Sequence, residues 1–65
     1  WATALTARQL QVLDEMAIGK TNSQIAKAIN VSESTVKQEA VRLFKLLGVN
    51  TRQKAVAVGK EMGII

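Results

Sequence analysis

The apolar residues of this chain recur at intervals of three and four positions, the spacing that places side chains on one face of an α-helix. Four such stretches follow one another, separated by short polar or glycine-containing segments. The pattern predicts helices over about residues 7–18, 22–29, 33–47 and 52–62. We therefore expect an all-α fold, a small four-helix bundle in which each helix turns its apolar side inward.

Residues that favour helix ends bound each predicted helix. Thr6 and Gln9, like Thr21 and Gln24, have the spacing of a capping box, in which two side chains satisfy free backbone N–H groups at the helix start. The other residues that favour a cap or a positive φ are Ser32, Thr51, Gly19, Asn30, Gly48 and Gly63. These local signals predict where the helices begin and end.

The same spacing predicts which sides of the helices face the core. In the first helix we expect Leu10, Leu13 and Ala17 to be buried, with Val12 and Met16 on the flank. Part of the apolar stripe of the fourth helix must also cover the core. That stripe comprises Ala55, Val58, Gly59 and Met62, with Val56 beside it.

Residues 21–38 contain two predicted helices joined by a very short turn. The first helix places Ile25, Ala26 and Ile29 on one face, and the pattern then breaks. The second helix has an inward face made of Val36, Ala40, Leu43 and Leu47. So short a connection predicts a helix-turn-helix over about residues 22–41, a motif that places its second helix in the DNA major groove.

The outward face of the third helix carries side chains that can recognise bases. A lysine can donate to guanine O6 and N7, a glutamine can contact adenine through two hydrogen bonds, and a valine can pack against a thymine methyl. The predicted base contacts are Lys37, Gln38, Val41 and Ser34. The alternative for each of them is an ordinary solvated helix surface.

Side chains that flank this face would lie at the walls of the groove, where proteins contact phosphates. The start of the second helix offers backbone N–H groups and the positive end of a helix dipole, which also suit a phosphate. The predicted phosphate contacts are Thr21, Asn22, Thr35, Arg42 and Lys45. For Thr21, capping of the second helix is another role, and the two roles are compatible.

Glu39 is the one acidic residue between Ser34 and Lys60. Its helical angle places it beside the core face, so we expect it to pair with Arg42, three residues on. A basic residue of another helix is an alternative partner. If Glu39 faced DNA instead, accepting a hydrogen bond from cytosine N4 would be its favourable role.

Composition narrows the classes of function. The chain has no Cys and no His, so thiolate ligands and the usual general base at neutral pH are absent, and we expect neither an enzyme nor a metal or other cofactor. No apolar run approaches the roughly 20 residues that span a bilayer, so we expect no membrane partner and a cytoplasmic location. The net charge of +4, from nine basic and five acidic residues, suits a phosphate backbone.

Four groups of residues occur in an order typical of one family. They are Leu5-Thr6-x-Arg8-x-x-x-Val12-Leu13, Gly19-Lys20-Thr21-Asn22-x-x-Ile25-Ala26, Val31-Ser32-x-x-Thr35-Val36-Lys37 and Leu47-Gly48-Val49-x-x-Arg52-x-x-Ala55-Val56. From about residue 5 to residue 56, the chain resembles the C-terminal DNA-binding domain of LuxR-type (GerE-like) bacterial transcription regulators. One departure is that the family usually has His after Thr-Val-Lys-x, where this chain has Glu39.

The resemblance implies sequence-specific binding to double-stranded DNA in transcription regulation, as a dimer on an inverted repeat. It implies weak dimerisation through the fourth helix, with Val58 and Met62 as the expected contacts. It also implies an upstream receiver or ligand-binding domain, as in response regulators or quorum-sensing proteins, and contact with RNA polymerase. Because the chain begins at Trp1 and not at Met, we expect residues 1–65 to be a single domain cut from a longer regulator.

Two other functions fit parts of the sequence. The fourth region of a sigma factor shares an arginine-containing first helix and a similar helix-turn-helix, but residues 47–56 and a full fourth helix favour the LuxR type. A helical protein-interaction module would expose an apolar stripe on the third helix. This chain instead has Lys37, Gln38 and Lys45 there, with Val41 as the only apolar member.

Overall fold

The computed structural model describes residues 5–65, and Trp1 lies outside the described residues. This part of the chain forms four α-helices. They are α1 (Ala7–Ile18), α2 (Asn22–Ile29), α3 (Glu33–Leu47) and α4 (Arg52–Glu61). The predicted all-α fold is confirmed, and the predicted bounds agree except at the last helix. There Met62 takes the C-cap position with φ of −84°, so α4 ends one residue before the predicted bound.

The predicted caps form at the start of every helix. In both capping boxes a threonine hydroxyl accepts from a backbone N–H, at 3.1 Å for Thr6 and 3.2 Å for Thr21. The side-chain oxygens of Gln9 and Gln24 accept in return from the threonine N–H groups, each at 2.9 Å. Ser32 and Thr51 cap the other two helices, so the local sequence alone fixes where each helix begins.

Asn30 makes the turn of the helix-turn-helix. Its φ of 59° lies in the left-handed region, which Asn tolerates better than most residues. The N–H groups of Asn30 and Val31 both bond to the carbonyl of Ala26, the latter at 2.9 Å. Because these bonds satisfy the free end of α2, α3 can begin three residues later at Glu33.

The buried face of α1 differs from the predicted one. Val12, Leu13 and Met16 are buried, Leu10 is half-buried and Ala17 is exposed. The inward stripe starts one position earlier, at Gln9, whose side chain folds back over the helix start in the capping box and is itself buried. Because the first residue of this stripe is polar, a search for apolar periodicity does not detect where the stripe begins. The prediction that Ala17 is buried was therefore wrong.

The small residues of α4 pack against the core of the domain. Ala55 and Gly59 are buried, Val58 is half-buried and Met62 is exposed, so only half of the predicted stripe is fully inward. A Cβ atom at Gly59 would lie 3.1 Å from Leu13 Cδ2 and 3.2 Å from Ile65 Cδ1. Because Gly59 has no side chain, α1 and Ile65 can pack directly against this part of α4.

Candidate nucleic-acid interface

Burial fixes the rotation of α3 about its own axis. The predicted inward residues of this helix are all buried, and Val36 has no exposed surface. The opposite face is open to solvent and carries the predicted base-contacting residues. The exposed residues there are Ser34, Lys37, Gln38, Val41 and Lys45. A cation, an amide and an apolar group therefore lie side by side on a solvent-facing helix.

The flank of this face holds an ion pair. Arg42 Nη1 donates to Glu39 Oε1 at 3.1 Å, which confirms the predicted pairing. The Glu39 side chain is 11% exposed, whereas that of Arg42 is 68% exposed. The carboxylate thus lies beside the core, and it holds one end of a guanidinium that keeps further N–H donors for other groups.

Thr35 is half-buried at the first turn of α3. Its hydroxyl lies 3.0 Å from the hydroxyl of the capping residue Ser32, which also accepts from the Thr35 N–H. A hydroxyl can donate one hydrogen bond and accept others, so this contact leaves Thr35 with capacity for a further partner. The local pair fixes the side chain near the start of the exposed face.

The start of α2 is tied to two other parts of the chain. Lys20 Nζ pairs with Glu15 Oε2 at 2.5 Å, joining the loop before α2 to α1. Arg52, at the start of α4, donates from Nη1 to the carbonyl of Lys20 and from Nη2 to Asn22 Oδ1, each at 2.5 Å. Sequence reasoning assigned no role to Arg52, although the residue belongs to the last of the four family-like groups.

Four large apolar side chains are exposed among residues 5–65: Ile18, Val41, Leu46 and Met62. Val41 and Met62 had been predicted as contact residues, whereas Ile18 and Leu46 had not. The described helices are all too short to be apolar membrane spans. Within residues 5–65, no three acidic side chains lie close enough together to hold a metal ion, and there is no pocket.

Comparison with known proteins identifies the family. Residues 3–58 match the GerE family, described as bacterial regulatory proteins of the luxR family. The chain belongs to this family. Its domain is therefore of the DNA-binding type that regulates transcription, which favours that function over the sigma-factor and protein-interaction alternatives.

Several regulatory proteins are similar to this chain. The nitrate/nitrite response regulator protein NarP of Escherichia coli is 45% identical over 53 residues, which are 82% of this chain and 25% of that protein. The CsgBAC operon transcriptional regulatory protein of the same organism is 40% identical over the same length, 24% of that protein. The chain thus spans about a quarter of the length of these relatives.

A solved response-regulator structure has the same fold. The response regulator ChrA of a heme-sensing two-component system superposes with a TM-score of 0.91 at 33% sequence identity. The superposition covers 94% of this chain and 30% of that one. The four-helix arrangement is therefore shared with a domain of a longer response regulator.

Proposed function

We propose that this domain binds double-stranded DNA sequence-specifically with α3 in the major groove. The observation that carries the proposal is the division of α3 into a fully buried side and a solvent-facing side with cationic and amide groups. A helix in the groove needs such a side, because it must be held rigidly from behind while its outer side chains reach base edges.

We assign the base contacts to Ser34, Lys37, Gln38 and Val41. Lys37 and Gln38 supply hydrogen-bond donors and an acceptor, which can distinguish guanine and adenine edges. Val41 is 52% exposed on an otherwise polar face, a position that suits contact with a thymine methyl. These four residues would set the preferred sequence.

We assign the phosphate contacts to residues that flank the same face. Arg42 and Lys45 supply positive charge, while Thr35 supplies a hydroxyl at the first turn of α3. At the start of α2, where the helix dipole favours an anion, Asn22 supplies a backbone N–H group. The N–H of Thr21 is bonded to Gln24 Oε1, so Thr21 would contribute its hydroxyl as the donor. Such contacts position the protein on DNA without reading sequence.

A dimer on an inverted repeat is the proposed assembly. Val58 is half-buried and Met62 is 48% exposed on α4, so both retain surface for a second copy. Ala55 and Gly59 are buried in the domain's own core, so we do not include them among the dimer contacts. The remaining apolar surface is small, so the dimer of this domain would be weak without DNA.

The longer protein would place a sensory domain before this one. NarP and ChrA are named as response regulators, which supports an upstream receiver domain in the longer protein. Contact with RNA polymerase and a cytoplasmic location, where bacterial DNA lies, belong to the same proposal. A quorum-sensing role stays a prediction, as does the assignment of residues 1–65 to a single domain.

Selection of bound sites from random duplex DNA tests this function. We expect enrichment of an inverted repeat, and we expect the affinity for that repeat to fall with salt. The log–log slope should be about −0.9 for each phosphate neutralised. Absence of any enriched sequence, or an affinity that does not change with salt, would contradict the proposal.

A further inference from the structure

We propose that Arg52 is a positioning residue for DNA recognition, acting through Asn22. This inference rests on the proposed function. Arg52 is the first residue of α4, outside the helix-turn-helix, and it has no assigned role in DNA contact. Its guanidinium nevertheless reaches the segment that leads into the helix-turn-helix.

The two hydrogen bonds of Arg52 lie on either side of Thr21. Nη1 donates to the carbonyl of Lys20 and Nη2 to Oδ1 of Asn22, across 32 and 30 positions of sequence. A planar guanidinium with two fixed donors holds two acceptors at a set separation, which a lysine ammonium cannot do. Arg52 therefore fixes the backbone before α2 and the first side chain of α2 at the same time.

Hydrogen-bond chemistry then determines how the amide of Asn22 is oriented. A guanidinium can only donate, so the amide atom that faces Arg52 must be the oxygen. The two N–H donors of the amide consequently point away from Arg52. Among residues 5–65, no group accepts a hydrogen bond from them, and the residue is only half-buried.

Outward donors at this position match what a phosphate oxygen accepts. An amide that turned over would present its oxygen instead, and that oxygen would be repelled by an anion. Arg52 thus prevents the orientation that would weaken DNA binding. The Lys20–Glu15 pair holds the same loop from the side of α1, which limits the freedom left to Asn22.

The test is a double-mutant cycle in the 65-residue chain, with Arg52→Ala, Asn22→Ala and the double variant. Affinity is measured for a duplex enriched in the random-DNA selection, at a temperature where thermal unfolding shows each variant to be folded. We expect each single variant to bind about tenfold more weakly, the size of one lost hydrogen bond to a charged group. The double variant should bind no more weakly than either single one, because both changes remove the same contact.

Two further variants separate positioning from charge and from stability. Arg52→Lys keeps the charge but not the paired donors, so it should lose affinity like Arg52→Ala and also serves if the alanine variant does not fold. Lys54→Ala removes an exposed charge from the same turn of α4 and should change affinity much less. Equal losses for Lys54→Ala and Arg52→Ala would reduce the role of Arg52 to charge.

The outcomes distinguish this inference from the function on which it rests. If the unmodified chain binds no duplex, the proposed function fails and the positioning role fails with it. If the unmodified chain binds but the two single losses add in the double variant, Arg52 does not act through Asn22 and only the positioning role is overturned. A merely structural role would lower the unfolding temperature of Arg52→Ala without any coupling to Asn22 in affinity.

Discussion

Val36 and Val41 place the same side chain in opposite environments on one helix. They are five positions apart on α3, a rotation of about 140° at roughly 100° per residue. Val36 has no exposed surface, whereas Val41 is 52% exposed. The comparison separates two demands on α3, because one valine contributes to the stability of the bundle and the other is available to a partner. Residue type alone does not distinguish them.

Truncation of Val36 should give the largest effect. Val36→Ala removes a fully buried aliphatic group from a core of few members, and we expect a cost on the order of 1–3 kcal/mol in the free energy of unfolding. For a domain of this size the unfolding midpoint should fall by about 4–8 °C for each kcal/mol. Thermal unfolding followed by circular dichroism measures the shift.

Val41→Ala is the matched control for that experiment. It deletes the same two methyl groups from the same helix, but from a side chain that is already half in solvent. We expect the unfolding midpoint to stay nearly unchanged and any loss to occur in DNA affinity. Equal midpoints for the two variants would mean that α3 is rotated differently, and the assigned contact residues would then be wrong.

Residues of the outer face should affect sequence preference and leave stability unchanged. Lys37→Ala and Gln38→Ala should each relax the preference at one or two base positions by about 1–3 kcal/mol, because each removes a contact to base edges. Binding constants on the selected repeat and on a scrambled duplex measure this. If Gln38→Ala weakens both duplexes equally, Gln38 does not read bases.

The helix bounds and the outer face could be predicted because their causes are local. A capping threonine and its glutamine partner lie three residues apart, as do Glu39 and Arg42, so sequence spacing alone brings each pair together. The rotation of α3 also followed from its own periodicity. For these features no knowledge of the other helices was needed.

Features that depend on how the helices meet could not be predicted in the same way. The inward stripe of α1 begins with the polar residue Gln9, so its apolar members alone indicated a face that included Ala17. The Arg52 hydrogen bonds join parts of the chain 30 and 32 positions apart, and no periodicity indicates such a contact. The contact of Ile65 with Gly59 likewise depends on how α1, α4 and the residues after α4 pack together.

Among the substitutions in α3, we expect the smallest effect from Arg42, which lies at the border between the buried face and the exposed face. Arg42→Ala should weaken binding to the selected and scrambled duplexes alike, because a phosphate contact carries no sequence information. It should also reduce the magnitude of the log–log salt slope by about 0.9. The loss of its pair with Glu39 should cost only a few tenths of a kcal/mol in stability, since the guanidinium is largely exposed.

Lys60→Ala is the charge-matched control, because Lys60 is an exposed basic residue in the last turn of α4. Affinities measured over a series of salt concentrations test the assignment, and an unchanged slope for Arg42→Ala would remove Arg42 from the phosphate contacts.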